Sequence, residues 1–479
     1  MTGEPVTSLF PQHKESCLIP ITRKLTKTLR SVFRAALGLS AQSNGTPLHV
    51  KTGPDGLVIS AAMFGLGIRY RLDGSFPEHE FWLPFEFLKE TEGNRNDAVL
   101  LDPTSDGVDV QWVVDSVPQT RTFIIENAPD AIELPAVDFT GNTPKLLAAL
   151  KEAARTCDHS STRYALSCIQ LRGETGEVVA TDSHQLLVEG GFQFPWDDNV
   201  LIPGSKLLTH REFRTGDSVK IGRAEDVVVL KAGPWTAWMS IEKDRRFPEI
   251  DQVIPNVNAA IATISIPQDD GDFLARVVKQ LPANNEQHSP VTVDLNGSIA
   301  VRARTDGAKI PTELVLTRSS RTGDPVRFCT NRKLLARAMQ LGFDGLHVFG
   351  PDSPVLCVQG DRKYVWMLLE KDGAIKPSKQ AIRIESAATP KPAVQPSTPP
   401  GNPTPMKSTN PSRNTEAAKG TQPDNAPSLI DRAESLRESL QTALADTRNL
   451  ITTLKQQQET SRSVQSALKS LRQLEALEV

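Results

Sequence analysis

The sequence repeats one order of secondary structure three times, and this repeat constrains the fold more than any other feature. Basic amphipathic helices are predicted near residues 22, 143 and 267, at spacings of about 120 residues. Second helices are predicted near residues 84, 203 and 330. Alternating strands lie between them, with turn signals at Asp55-Gly56, at 173–176 and at Asn296-Gly297. The predicted order in each unit is helix, strands, helix, strands. This order predicts an α+β fold with helices on one face of antiparallel sheets.

Composition divides the chain into a body and a tail. After about residue 372 the sequence is rich in Pro, Ser and Thr and too poor in apolar residues to offset the entropy of ordering. Beyond it, Leu436, Leu440 and Leu450 belong to a series spaced by three and four residues, which predicts a coiled-coil seam. A single helix lying back on the body is the alternative. We expect an N-terminal tail at 1–16, domains at 17–135, 136–256 and 257–372, a disordered linker at 373–427 and an amphipathic helix at 428–479.

Charge and cysteine content exclude several classes of protein. The formal net charge of -3 excludes a protein that coats nucleic acid by bulk charge, so any such contact must come from local clusters. The five cysteines form no Cys-x-x-Cys pair, which favours reduced thiols over disulfides or a zinc site. No apolar stretch is long enough to span a membrane, and the start has no signal-peptide pattern. We expect a cytoplasmic protein that needs no cofactor and no metal.

One short stretch resembles a catalytic cluster. In "VVATDSHQLLVEGG" the residues Asp182, Ser183 and His184 place a carboxylate, a hydroxyl and an imidazole side by side. Catalysis requires a base that reaches the nucleophile and a third group that orients the base. Successive side chains of a strand point to opposite faces, so neighbouring residues diverge. We therefore expect no enzyme, and catalysis through Asp182 and His184 is the least favoured hypothesis.

Four motifs resemble the β sliding clamp of bacterial DNA polymerase III. They are "TRYALSCIQL" at 162–171, "VVATDSHQLLVEG" at 178–190, "RRFPEIDQVIP" at 245–255 and "GPDSPVLCV" at 350–358. The resemblance extends over residues 17 to about 372 and is strongest in the second unit. It implies three clamp domains in each chain and a head-to-tail homodimeric ring, with the helices lining a hole that surrounds duplex DNA.

The basic helices agree with this implication, because a sliding ring needs loose phosphate contacts that do not depend on base sequence. Ordinary solvated helix faces are the alternative interpretation of the same residues. The candidate DNA contacts are Arg23, Lys24, Lys27, Arg30, Arg34, Lys145, Lys151, Arg155, Lys206, Arg211, Arg276, Lys279, Arg332 and Arg337.

The resemblance also implies a hydrophobic cleft between the second and third domains. In the family, partner proteins insert a short peptide similar to Gln-Leu-x-Leu-Phe there. Ser183 stands where the family usually has Gly, Gln185 where it usually has Arg, and Leu368 where it has Pro, so peptide preference and access to the cleft are expected to differ. The residues that match the cleft are Arg163, Leu166, Thr181, Ser183, His184, Gln185, Leu186, Pro248, Val253, Pro354, Met367 and Leu368.

These observations favour a DNA sliding clamp that tethers the replicative polymerase, the clamp loader and repair proteins and so confers processivity. A clamp-like paralogue used as a scaffold or regulator is the main alternative, because the first unit matches weakly and the tail is long.

Overall fold

In the computed structural model the chain separates into two parts, Met1–Val394 and Gln395–Val479. All residues that the structure describes lie in the first part. The predicted N-terminal tail at 1–16, most of the predicted linker and the predicted helix at 428–479 lie outside the described residues. Among the described residues, no helix has the length and apolar character needed to cross a bilayer. The structure describes residues 18–40, 45–125, 128–161, 164–214, 218–283, 288–370 and 373–386.

The body consists of three units with the same order of elements. The first unit contains β1 (Ile19–Thr22), α1 (Arg23–Ala36), β2 (Leu48–Gly53), β3 (Gly56–Met63), β4 (Leu66–Leu72), β5 (His79–Leu83), α2 (Glu86–Thr91), β6 (Ala98–Thr104), β7 (Gly107–Val114) and β8 (Val117–Phe123).

The second unit contains β9 (Thr140–Asn142), α3 (Lys145–Thr156), β10 (Cys168–Arg172), β11 (Glu177–Thr181), β12 (Gln185–Glu189), β13 (Asn199–Pro203), β14 (Val219–Ala224), β15 (Val227–Ala232) and β16 (Trp235–Ser240). Its second helix differs from the prediction, because two short 3-10 helices, Lys206–Thr209 and Glu212–Arg214, take the place of an α-helix.

The third unit contains β17 (Ala262–Ser265), α4 (Gln268–Val277), β18 (Pro290–Asp294), β19 (Ala300–Ala303), β20 (Thr312–Val315), β21 (Ser320–Gly323), β22 (Arg327–Asn331), α5 (Arg332–Gln340), β23 (Gly345–Val348), β24 (Val355–Gln359) and β25 (Arg362–Trp366). One further strand, β26 (Ile382–Glu385), pairs in parallel with β20. The predicted linker start at residue 373 is therefore wrong, because the sheet of the third unit includes residues 382–385.

Each unit forms two half-sheets of four strands, and neighbouring units join edge to edge. In the third unit β21 adds a fifth strand beside β17. The first set is β1-β6-β7-β8, β9-β14-β15-β16 and β17-β23-β24-β25, and the second set is β5-β2-β3-β4, β13-β10-β11-β12 and β22-β18-β19-β20. β4 pairs with β16, and β12 pairs with β25, both antiparallel. The body therefore has continuous sheets across both junctions between units.

The helices form one row that follows the same junctions. Helix α1 contacts α2 within its own unit and the 3-10 helix Lys206–Thr209 of the next, which in turn contacts α3. Arg337 on α5 donates to the carbonyl of Glu152, 2.9 Å away, and to Oγ1 of Thr156 on α3, 2.8 Å away. Since α5 also packs on α4, the order of the row is α2, α1, Lys206–Thr209, α3, α5, α4.

Apolar positions explain why these helices form and which faces they bury. In α1, Leu29, Val32 and Phe33 lie on one face and are fully buried against the first sheets, as their spacing predicts. Thr22 caps the start of this helix, because its hydroxyl accepts from the N–H of Leu25 at 3.1 Å. One apolar core is continuous through the first two units, and a second core fills the third. A third, smaller core lies where the second and third units meet and includes Leu186, Ile250 and Val365.

Candidate functional site

The stretch that resembles a catalytic cluster forms a tight turn between β11 and β12. The Oδ1 atom of Asp182 accepts from the backbone N–H groups of His184 and Gln185, each at 2.9 Å. Its Oδ2 atom accepts from the side-chain amide of Gln185 at 2.8 Å. Ser183 occupies the left-handed region with φ 74, which explains why Gly suits this position better. The carboxylate of Asp182 therefore stabilises the turn and is directed at backbone donors.

The structural role of Asp182 gives a stability prediction. We expect Asp182→Ala to lower the free energy of unfolding by about 1–2 kcal/mol, because three hydrogen-bond donors lose their acceptor. Asp182→Asn keeps one oxygen for the two backbone donors and should lose less. Urea unfolding followed by circular dichroism measures both changes, and equal stability of Asp182→Ala and the natural protein would contradict this role.

The buried thiols are not placed to act as nucleophiles. Burial raises the pKa of the Cys157 thiol to about 12, so this thiol stays protonated at neutral pH. Burial also raises the pKa of the Cys168 and Cys357 thiols. Within the described ranges, no group of three His, Cys, Asp or Glu side chains is placed to hold a metal ion.

A cleft opens beside this turn, above the antiparallel pair β12 and β25. Its cavity volume is about 190 Å³, and its surface is mostly apolar. The floor consists of the buried side chains of Leu166, Leu186 and Ile250, together with Val365 and Trp366 at the end of β25. These side chains leave an apolar depression on the sheet that joins the second and third units.

Exposed apolar side chains form the rim of the cleft. Val253 is 47% exposed and Met367 is 44% exposed, and Tyr164 beside them is more exposed still. Large apolar side chains that remain exposed around an apolar depression are typical of a surface that binds a partner. The turn is attached to this rim, because the N–H of Met367 donates to the carbonyl of His184 at 3.1 Å.

Gln185 links the turn to the core of the third unit. The hydroxyl of Tyr364 donates to Oε1 of Gln185 at 2.6 Å, and the amide of Gln185 donates to Asp182. Burial raises the pKa of Tyr364, so its hydroxyl stays protonated and remains a donor. Gln185 therefore fixes the wall of the cleft and does not extend from it as a free polar group.

The structure brings together most of the residues predicted for the cleft. Arg163 lies outside the described residues. Pro354, in the loop before β24, does not line the cavity, and Leu368 packs on the core of the third unit. The predicted residues that line the cavity are Leu166, Thr181, Ser183, His184, Gln185, Leu186, Pro248, Val253 and Met367.

Five lining residues were missed by the sequence prediction. Tyr164, Glu249 and Ile250 lie one or two residues from predicted positions, so a wider interpretation of the same motifs would have included them. Val365 and Trp366 precede Met367 on β25, and the apolar run "YVWMLL" gives no signal of which side chains face the cleft.

The basic residues of the helices divide into two groups. Lys24, Lys27, Lys145, Arg155, Lys206, Arg211, Arg276 and Lys279 are exposed on the helical row. Others are held by acidic partners, since Arg30 pairs with Glu92 at 2.6 Å and Lys151 with Glu152 at 2.7 Å. Arg34 is half-buried at the end of α1. Within the first group, Arg155 also pairs with Glu152 at 3.3 Å and Arg211 with Glu212 at 2.9 Å. The side chains that can face a polyanion are therefore Lys24, Lys27, Lys145, Lys206, Arg276 and Lys279.

Three predicted DNA contacts have structural bonds instead. Arg332 is 4% exposed and donates to the carbonyls of Leu281, Pro282 and Ser289. The guanidinium of Arg23 donates to carbonyls of α2 and β7, and that of Arg337 joins α5 to α3. The guanidinium groups of these three arginines already donate to acceptors within the fold, so they are not candidate DNA contacts. Lys333, which follows Arg332, is exposed and was missed.

Among the comparisons with known proteins, only the one with solved structures finds a similarity. No family model matches the sequence, and no curated protein sequence matches it. Among solved structures, the DNA polymerase III subunit beta of Pseudomonas aeruginosa is 16% identical, with a TM-score of 0.60 over 74% of this chain and 100% of that one. The beta subunit of DNA polymerase from Streptococcus pyogenes is 14% identical, with a TM-score of 0.62 over 74% of this chain and 100% of that one. These similarities confirm the predicted fold class.

Proposed function

From the β sliding clamp fold of the described residues, we propose that this protein is a DNA sliding clamp. Two copies assemble head to tail into a ring of six units that surrounds duplex DNA. The ring tethers a replicative polymerase and other partners in the cytoplasm and has no catalytic activity of its own. It needs no cofactor, because its task is to hold position on DNA by topology.

The observation that carries this proposal is the identical construction of the two junctions within the chain. At each junction the last strand of one half-sheet pairs with the last strand of a half-sheet in the next unit, β4 with β16 and β12 with β25. By position in the repeat, β20 of the third unit corresponds to β4 and β12, and β8 of the first unit corresponds to β16 and β25. These two strands would therefore pair between two copies of the chain. At each junction the first helix of one unit meets the second helix of the next unit. The helices left at the two ends of the row are α4, a first helix, and α2, a second helix. The body therefore has complementary ends, which suits head-to-tail closure.

Charge placement supports a sliding contact. A set of exposed lysines and arginines follows the helical row, although the whole chain carries a formal net charge of -3. Mobile basic side chains on helices contact phosphates without reading bases. An acidic protein with such a row should bind DNA only weakly, and the closed ring should keep it on the DNA. Weak contacts of this kind allow the ring to slide.

The cleft at β12 and β25 is the proposed site for partner peptides. Its apolar floor and exposed rim suit Leu and Phe side chains, each of which contributes roughly 1.5–3 kcal/mol when fully buried. The polymerase catalytic subunit, the clamp loader and repair proteins are the proposed partners. Each would bind through a short motif near its chain end or in a linker.

Topological retention on DNA tests this function. After loading onto a nicked circular duplex by a bacterial clamp loader and ATP, the protein should co-elute with the circle in gel filtration at high salt. Cutting the circle once should release the protein, because a ring slides off a free end. Co-elution that survives cutting, or the absence of any loader-dependent retention, would count against a ring.

The alternative, a clamp-like scaffold that does not encircle DNA, is favoured by one observation. Strand β26 covers the outer edge of β20, which is one of the two complementary ends. A scaffold would keep the peptide cleft and show no retention on circular DNA.

A further inference from the structure

Strand β26 occupies a sheet edge that the repeat assigns to a second copy of the chain. We propose that β26 is an internal edge strand that competes with β8 of a partner copy for β20, so that the ring closes only when β26 is released. This inference rests on the proposed ring and adds a means of controlling its closure. The competing ligand is a second copy of this chain.

The position of β20 in the repeat identifies the edge. One half-sheet of each unit ends at an equivalent strand. This last strand is β4 in the half-sheet that begins with β5, β12 in the one that begins with β13, and β20 in the one that begins with β22. The first two of these edges are covered by an antiparallel strand from the following unit. The third is covered by β26 in parallel orientation. β26 is thus the exception to the repeat, and it comes from beyond the third unit.

Backbone hydrogen bonds attach β26 to this edge. Thr312 is opposite Ile382, and Val315 is opposite Glu385. The N–H of Ile382 donates to the carbonyl of Pro311, and the N–H of Ser386 donates to the carbonyl of Val315, both at 3.0 Å. These bonds use the groups of β20 that a partner strand would need, so the two strands cannot bind together.

The side chains of β26 contribute little to its attachment. All four residues are exposed, with Ile382 at 60% and Ile384 at 39%. By contrast, five of the six residues of β16 are buried at the equivalent place in the first junction. Just after the strand, the hydroxyl of Ser386 accepts from the N–H of Thr317 at 2.9 Å and lies 3.1 Å from the hydroxyl of Thr317. It also hydrogen-bonds to the buried carboxylate of Asp270. A strand held mainly by backbone bonds at an exposed edge can exchange with a competitor.

The segment before β26 is anchored separately, so the strand can leave without unfolding the unit. The N–H of Leu369 donates to the carbonyl of Cys329, and the N–H of Ile375 donates to Oγ1 of the buried Thr292. The proposed competitor β8 is seven residues long, against four for β26, and it is the outermost strand of its own sheet. β20 has four residues, so β8 is long enough to pair along all of it.

Paired proline variants of the full chain test the release. Ile382→Pro with Ser386→Pro removes two of the N–H groups that attach this segment to the β20 edge, together with the hydroxyl of Ser386. Arg383→Pro with Glu385→Pro introduces two prolines at positions whose N–H groups alternate away from this edge. Sedimentation velocity over a concentration series measures self-association. We expect the first variant to dimerise at least about tenfold more tightly than the natural protein, and the control pair to remain within about twofold of it.

A disulfide lock tests the same point in the opposite direction. Thr312→Cys with Ile382→Cys places two thiols at directly opposite positions of β20 and β26. Oxidation should hold the protein as a monomer, and reduction should restore the self-association of the natural protein. If the lock leaves a dimer intact, or if the release variant dimerises less than the natural protein, β26 is part of the joint and the inference is wrong.

Retention on circular DNA separates this inference from the proposed function. If the release variant dimerises and is still not retained by circular DNA, the sliding function fails while competition at β20 stands. If retention is normal and neither variant pair changes self-association, the ring stands and the competition is refuted.

Discussion

Replacing Val253 and Met367 by Asp should weaken binding of a fluorescent Gln-Leu-x-Leu-Phe peptide by at least about a hundredfold. Each change removes apolar rim surface and places a carboxylate where an apolar anchor must be buried, and the loss of one anchor alone corresponds to roughly 1.5–3 kcal/mol. Both side chains are about half exposed in the free protein, so the fold should tolerate the changes. Fluorescence anisotropy measures the peptide affinity, since each 1.4 kcal/mol changes it about tenfold.

A matched control uses an apolar residue that is exposed elsewhere. Val257 is 38% exposed on the 3-10 helix Val257–Ala259 and does not line the cleft. Val257→Asp should therefore bind the peptide as tightly as the natural protein. If both the rim variant and this control bind normally, the peptide site lies elsewhere.

Charge reversal on the helical row should produce the second large effect, on DNA. We expect the change of Lys24, Lys145, Lys206 and Lys279 to Glu to reduce the slope of log affinity against log salt by up to about four, because each phosphate contact contributes about 0.9. All four side chains are exposed, so folding should change little. Binding to a short linear duplex at several salt concentrations measures the slope, and circular-DNA retention should fall with it.

The control for this variant lies on the sheets. Lys220 and Lys231 are exposed and directly opposite each other on β14 and β15. Reversing both to Glu keeps a pair of like charges in place and changes the net charge by half as much as the helical variant. This control should retain most of the salt slope. An equal loss in both variants would mean that overall charge, and not the helical row, controls DNA binding.

The sequence predicted the repeat and much of the secondary structure. Helical periodicity located α1, α3, α4 and α5, and the turns at Asp55-Gly56 and Asn296-Gly297 correctly separated adjacent strands. These features are local, since they depend on residues a few positions apart. The second helix of the middle unit was misjudged, because "KLLTHREFR" has the helical apolar pattern but folds as two 3-10 turns.

The candidate cleft was predicted in part, through its motifs. Leu166, Leu186 and Val253 lie within motifs that resemble the family, and all three line the cavity. Leu368 lies beside Met367 in the chain, yet its side chain enters the core of the third unit while Met367 faces the cleft. Neighbouring side chains of an extended segment point to opposite faces. Which of the two faces the cleft depends on how the segment pairs with the sheet, and the sequence does not show this pairing.

The sequence alone determined the order of elements, the positions of the apolar faces and the basic character of the helices, because these follow from the spacing of residue types along the chain. Only the tertiary structure decided which basic residues are free. Arg332 and Lys333 are neighbours, but three carbonyls from distant segments surround the first and leave the second exposed. It also decided where β26 binds, because Ile382–Glu385 has no local signal for a partner, and β20 is the edge that the three-unit fold leaves open beside it. Long-range pairing depends on which backbone groups the rest of the fold leaves unpaired, and that information is absent from any short stretch of sequence.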